Sequence, residues 1–225
     1  MCGRYTLTTP APKLAEHFHL DTVPNLTPRY NIAPTQSVAI VRAAALAGGR
    51  ELTLVRWGLV PSWAADPSIG QRMLNARAET VADKLAYRNA FRQRRCLVLA
   101  DGFYEWQPIA ARKKQPYHIR LKDGQPFAFA GFWERWTSPD GSSLESCTIV
   151  TTEANDLVRP IHDHMPVILP EEGYAPWLDP AMRDAHNLQT WLKPYLAEAM
   201  VAVPVGDAVG NARFDDPQCL APLAR

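Results

Sequence analysis

The chain has 225 residues, 47% of them hydrophobic, with a formal net charge of +1 and four cysteines. That length supports a sizeable core in a single domain spanning 1–225. The cysteines at 2, 96, 147 and 219 lie far apart without a C-x-x-C pair, which argues against both a zinc ribbon and a disulfide-dense scaffold. No charged segment leads into an apolar one at the N-terminus, and no run of about 18 apolar residues occurs. The expectation is a cytoplasmic monomer, nucleoid-associated if bacterial, with no membrane, metal or cofactor. Near-neutrality hides an asymmetry: residues 1–100 carry 13 Lys and Arg against 6 Asp and Glu, whereas 101–225 carry 11 against 17. Arg88, Arg92, Arg94 and Arg95 belong to the basic half. Such a division fits a phosphate-facing surface, or two halves of one fold that pair their charges.

In chain order, Ala11 to His19 has helical periodicity. Ser37 to Arg42 and Glu51 to Trp57 are β-rich runs on either side of Gly48-Gly49, a hairpin or looped strand pair. Ala78 to Phe91 reads as helix, and Arg95 to Ala100 as a buried strand. Tyr117 to Leu121 and Phe127 to Phe132 flank the turn signal Asp123-Gly124. Cys147 to Thr151 is a second buried strand, followed by a short helical turn from Glu153 and a helix over Asp184 to Ala199. Twenty prolines punctuate the remainder and leave much of the surface to loops. The expected architecture is α+β, with a largely antiparallel, barrel-like β core and peripheral helices.

A residue at position 2 is ordinarily a frayed tail, and a cysteine elsewhere a small buried hydrophobe. Cysteine is, however, small enough for removal of Met1, which leaves an α-amine and a thiol on one residue. With an aldehyde the amine forms an imine, and the thiol closes onto the same carbon to give a five-membered thiazolidine. An α-amine of pKa about 7.7–8.0 is partly neutral at physiological pH, so this chemistry needs no extreme perturbation.

Ordered segments then carry a resemblance. Cys2-Gly3-Arg4-Tyr5, Arg29-Tyr30-Asn31-Ile32-Ala33-Pro34-Thr35, Trp57-Gly58-Leu59-Val60-Pro61-Ser62-Trp63, Asn75-Ala76-Arg77-Ala78-Glu79-Thr80, Asp101-Gly102-Phe103-Tyr104-Glu105-Trp106 and Ile161-His162-Asp163-His164-Met165-Pro166 resemble, in order, the motifs of the SRAP (SOS response-associated peptidase) family of abasic-site processing proteins. Val209-Gly210-Asn211 resembles a further segment, so the match runs from residue 2 to about 213. The resemblance implies a protein that traps abasic sites in single-stranded DNA covalently through its N-terminal cysteine and shields the strand during the DNA damage response.

It also implies roles. Abasic deoxyribose is mostly a closed hemiacetal, so ring opening needs a proton donor and an acceptor. Glu105 matches the residue for proton transfer in ring opening and imine formation, and His162 the one acting at the sugar oxygen. Read without the resemblance, Glu105 is a surface carboxylate, or one whose pKa burial between Tyr104 and Trp106 would raise, and His162 is a core or loop histidine. Asn75, otherwise a cap or turn residue, would orient the Cys2 amine and the linked sugar. Arg4 and Arg77 would hold flanking phosphates, Thr151 would add a hydroxyl that positions the DNA backbone, and Trp63, otherwise core, would pack against bases. The family motif often reads His-x-Arg; here His164 occupies the third place and cannot make a forked contact to phosphate. Three rivals remain: a cysteine-dependent peptidase or autopeptidase, a zinc site of Cys2, His162 and His164, and a DNA-binding module without chemistry.

Overall fold

Apolar and β-branched runs broken by proline and glycine settle most of the chain into short strands, and helices only fill corners. The computed structural model describes residues 2–44, 49–111 and 113–223. The elements are β1 (Tyr5–Leu7), α1 (Ala11–Phe18), β2 (Arg29–Ile32), β3 (Ser37–Ala43), β4 (Arg50–Trp57), β5 (Asn75–Arg77), α2 (Arg88–Gln93), β6 (Arg95–Ala100) and β7 (Gly102–Ala110). They continue with β8 (Lys113–Leu121), β9 (Phe127–Thr137), β10 (Ser143–Glu153), β11 (His164–Pro166), β12 (Ile168–Leu169), α3 (Glu171–Leu178), α4 (Ala185–Gln189) and β13 (Met200–Pro204).

Two sheets result. In one, β4, β3, β6, β9 and β10 pair in succession, and β10 returns to pair with β4 in parallel at Ser146–Arg56 and Cys147–Trp57, closing a five-stranded barrel. Every residue of β6 is buried, because this strand sits in the barrel wall between β3 and β9. The other sheet runs β13-β8-β7-β1-β2 and packs on the barrel through Tyr5, which meets Trp57 and Phe129 edge-on, and through Phe103 against Phe129. The architecture is α+β, with a largely antiparallel, barrel-like core and peripheral helices.

The strand expectations at Ser37 to Arg42, Glu51 to Trp57, Arg95 to Ala100 and Cys147 to Thr151 coincide with β3, β4, β6 and part of β10. The first pair is an antiparallel hairpin whose tip, including Gly48, lies outside the described residues. The turn at Asp123-Gly124 forms, with Gly124 at φ +68°, but β8 and β9 do not pair across it. It carries the chain from the outer sheet to the barrel. Helix was expected over Ala78 to Phe91, yet 78–87 runs through successive turns and α2 begins only at Arg88. Similarly, α4 ends at Gln189, short of Pro194, which cannot donate a helical hydrogen bond. The sequence pattern also missed α3, because Pro176 interrupts it; the helix persists by burying Tyr174, Trp177 and Leu178 on the barrel.

Two of the four arginines of the basic run are structural. Buried Arg95 donates to the carbonyls of Phe91, Arg92, Trp177 and Asp179, tying α2 to the end of α3. Arg94 pairs with Glu134 at 2.7 Å. Arg88 and Arg92 remain exposed.

Candidate active site

The N-terminal segment is drawn along β7 by backbone pairing. Tyr5 faces Phe103, and Tyr104 N–H donates to the Arg4 carbonyl at 2.9 Å, so residues 2–4 run beside Glu105 and Trp106. Cys2 is thereby buried rather than frayed. Burial, and secondarily the charge of Glu105, push its thiol far above the ordinary range. Glu105 is itself buried, and this raises its carboxyl, with the charge of His162 acting in the opposite direction.

A ledge of three strands meets this segment. Trp57 Nε1–H and Ile149 N–H both donate to the Leu74 carbonyl, at 3.0 and 3.1 Å, which fixes where β5 begins. Gly58 makes the turn after Trp57 possible: its φ is +125°, and a Cβ there would lie 2.6 Å from the Gly70 carbonyl oxygen. Asn75, the first residue of β5, donates from Nδ2 to the Cys2 carbonyl at 2.9 Å. Asn75, Ala76 and Arg77 pair in parallel with Ile149, Val150 and Thr151 of β10, while β11 pairs with the other edge of β10, setting Thr151 opposite Pro166 and Glu153 opposite His164. Side chains in register share a face, so Asn75, Arg77, Thr151 and His164 point to one side of the ledge. Arg77 is exposed, whereas Thr151 is fully buried. Among the described residues, neither Thr151 Oγ1 nor Asn75 Oδ1 has a hydrogen-bond partner, although both are buried.

His162 stands at the end of the loop joining β10 to β11. Asn155 knots the base of that loop, accepting from Val158 N–H at 3.0 Å and donating to the Tyr195 carbonyl at 2.7 Å. His162 Nδ1 lies 3.0 Å from the His164 backbone nitrogen and 3.1 Å from the His164 carbonyl oxygen, and Asp163 Oδ1 lies 2.9 Å from His162 Nδ1 and 3.2 Å from His164 Nδ1.

The structure thus brings together a buried cysteine held by an asparagine, a buried carboxyl raised by its surroundings and a histidine whose charge acts on that carboxyl. Residues 1–212 match the family described as SOS response associated peptidase (SRAP). The chain belongs to the SRAP family. It is 40% identical to the abasic site processing protein YoqW of Bacillus subtilis over 98% of this chain and 99% of that protein. It is 34% identical to the abasic site processing protein HMCES of Gallus gallus over 87% of this chain and 66% of that protein. A crystal structure of a Bacteroides thetaiotaomicron protein superposes with a TM-score of 0.87 at 26% identity, covering 99% of this chain and all of that one.

The remaining SRAP-motif residues fall into two groups. Trp63 is 64% exposed, a large aromatic left to solvent. Arg4 instead donates to Asn31 Oδ1 at 2.9 Å and to the carbonyls of Val209 and Gly210 at 2.7 and 3.3 Å, which ties the cysteine segment to the motif around Asn211. Asn31 completes that clasp by donating to the carbonyls of Val209, Asn211 and Phe214. The sequence pattern does not announce Asn155 or Asp163 beside His162. Only Asp163, lying between two histidines, carried a local signal. Among the described residues, no group of three His, Cys, Asp or Glu side chains is arranged to hold a metal ion, and no helix is long and apolar enough to cross a membrane.

Proposed function

We propose that this SRAP protein, acting as one domain, crosslinks covalently to abasic sites in single-stranded DNA through a thiazolidine at Cys2 once Met1 is removed, and so protects the lesion during the DNA damage response. The observation that carries the reading is the hydrogen bond from Asn75 to Cys2 at a residue also acted on by the charge of Glu105. In the proposed sequence, Glu105 takes the proton of the anomeric hydroxyl while His162 protonates the ring oxygen, opening the hemiacetal to the aldehyde. The Cys2 α-amine adds to C1′ and passes one proton to the aldehyde oxygen, Glu105 returns its proton as that hydroxyl departs as water, and His162 recovers a proton from the nitrogen to give the imine. The Cys2 thiol then adds to the imine carbon and its proton ends on the nitrogen, closing the ring. A thiol held protonated by burial supports this order, with the amine attacking first. It weighs against a thiol-dependent peptidase, whose nucleophile is the thiolate.

On the DNA side, Arg77 and His164 share a face with the buried Thr151, an arrangement suited to a phosphate that accepts from Arg77 and His164. Trp63 supplies a stacking face worth about 1–3 kcal/mol per base. Arg4 joins through whatever donor capacity its three internal contacts leave. The test is a denaturing gel of the chain mixed with a single-stranded oligonucleotide bearing one abasic site. A heat-stable shifted band is expected, requiring both Cys2 and the lesion. Intact DNA binding with no such band in the wild type would sink the proposal.

A further inference from the structure

Glu105 and His162 sit on different parts of the fold, and something must set the distance between them. β7 carries Glu105 rigidly, paired to β8 with Glu105 opposite Tyr117. The His162 loop is knotted at its base by Asn155 and by Ala154 N–H donating to the Asp163 carbonyl at 3.0 Å. Its tip reaches back to β7. Gln107, two residues beyond Glu105 and on the same face of the strand, donates from Nε2 to the Pro160 carbonyl at 3.0 Å. That carbonyl can only accept, so the amide nitrogen of Gln107 must face it. Tyr117, across from Glu105, completes the chain by donating its hydroxyl to Gln107 Oε1 at 3.1 Å.

We infer that Gln107, held in orientation by Tyr117, is a positioning residue that docks the His162 loop onto the Glu105 strand and thereby sets the geometry between the two proton-transfer groups. The inference rests on the proposed crosslinking reaction and extends it. Val158 and Ile161 are buried beneath the loop, so loss of Gln107 shifts the loop without unfolding it. Pro160 lies only two residues from His162, and sub-ångström displacements of a proton-transfer group are felt in rate more than in binding.

The test compares wild type with Gln107→Met, which keeps length but removes the donor, Gln107→Lys, which restores one, and Tyr117→Phe. Single-turnover crosslinking is followed across concentrations of an abasic-site oligonucleotide, with amide hydrogen exchange measured over 156–162 in the free proteins. Gln107→Met is expected to lower the maximal rate about tenfold with an unchanged half-saturating concentration and faster loop exchange. Gln107→Lys should recover most of the rate, and Tyr117→Phe should fall between. A full maximal rate in Gln107→Met overturns the inference whatever the loop exchange does, as does a loss confined to half-saturation. A wild-type chain that forms no crosslink overturns instead the reaction on which the inference rests.

Discussion

Cys147 and Cys2 are both free, fully buried thiols, and burial pushes both far above the ordinary range. Their surroundings differ in kind. Cys147 lies in the middle of a barrel strand, paired with Trp57 and Trp133 across its two neighbours. Cys2 lies in the seam between the outer sheet and the β5–β10–β11 ledge, where Asn75, Glu105 and Thr151 are buried or half-buried and polar. Burial alone makes a thiol inert; what sets Cys2 apart is that buried groups able to move protons lie beside it.

The largest expected effect separates the two cysteines directly. Cys2→Ala should abolish crosslinking with little change in melting temperature, whereas Cys147→Ala should crosslink at the wild-type rate and lose stability by about 1 kcal/mol in urea unfolding. Equal loss of crosslinking in both would erase the distinction. Next, Glu105→Gln should slow crosslinking by about 10²–10⁴-fold in single-turnover assays. Because burial raises the Glu105 carboxyl from its ordinary 4.5, the folded state disfavours its ionised form. Stability from this group is present below pH 4.5 and is lost as pH rises through the folded value. Glu105→Gln should accordingly be more stable than wild type at pH 7, with the difference closing toward pH 4. A variant less stable at pH 7 would show that the carboxylate is held for structure and not for reaction.

His118 sharpens the same contrast. It is packed beneath Gly102 and beside Thr6, 3.3 Å from Thr6 Oγ1, and burial lowers it from 6.5 to about 4. The unfolded chain binds this proton more readily, so stability is full above pH 6.5 and falls as pH drops toward 4, by about 3 kcal/mol in total. Urea midpoints of wild type should fall more steeply over that window than those of His118→Gln. A parallel fall would remove His118 from the account. The smallest effect concerns the ledge. His164→Arg should tighten binding of single-stranded DNA several-fold, because guanidinium forks onto phosphate. Identical affinities in both forms would place His164 away from DNA.

The barrel was legible in the sequence because its strands are written in strong local patterns, such as the apolar Cys96 to Ala100 and the β-rich Ser37 to Arg42. Elements held by tertiary contacts were not. The turns over 78–87 compete with a helical periodicity that looked sound, and α3 survives Pro176 only because Trp177 and Tyr174 are buried. Cys2, Asn75, Glu105 and His162 were named through ordered motifs. The hydrogen bonds of Asn155 and Gln107 span dozens of residues, and no spacing rule announces them. The arginine run divides between the two readings the sequence leaves open: Arg95 is buried among carbonyls and Arg94 pairs with Glu134, whereas Arg88 and Arg92 are exposed.

Intact mass of the DNA-reacted chain, followed by peptide mapping, reads directly whether Cys2 closes a ring on an aldehyde through both its amine and its thiol. The expected product is a chain lacking Met1, heavier by the abasic oligonucleotide less one water, with the addition on Cys2 and no further mass gain after borohydride treatment. A chain that retains Met1 and still forms the adduct, or an adduct on a lysine that borohydride reduces, would contradict it.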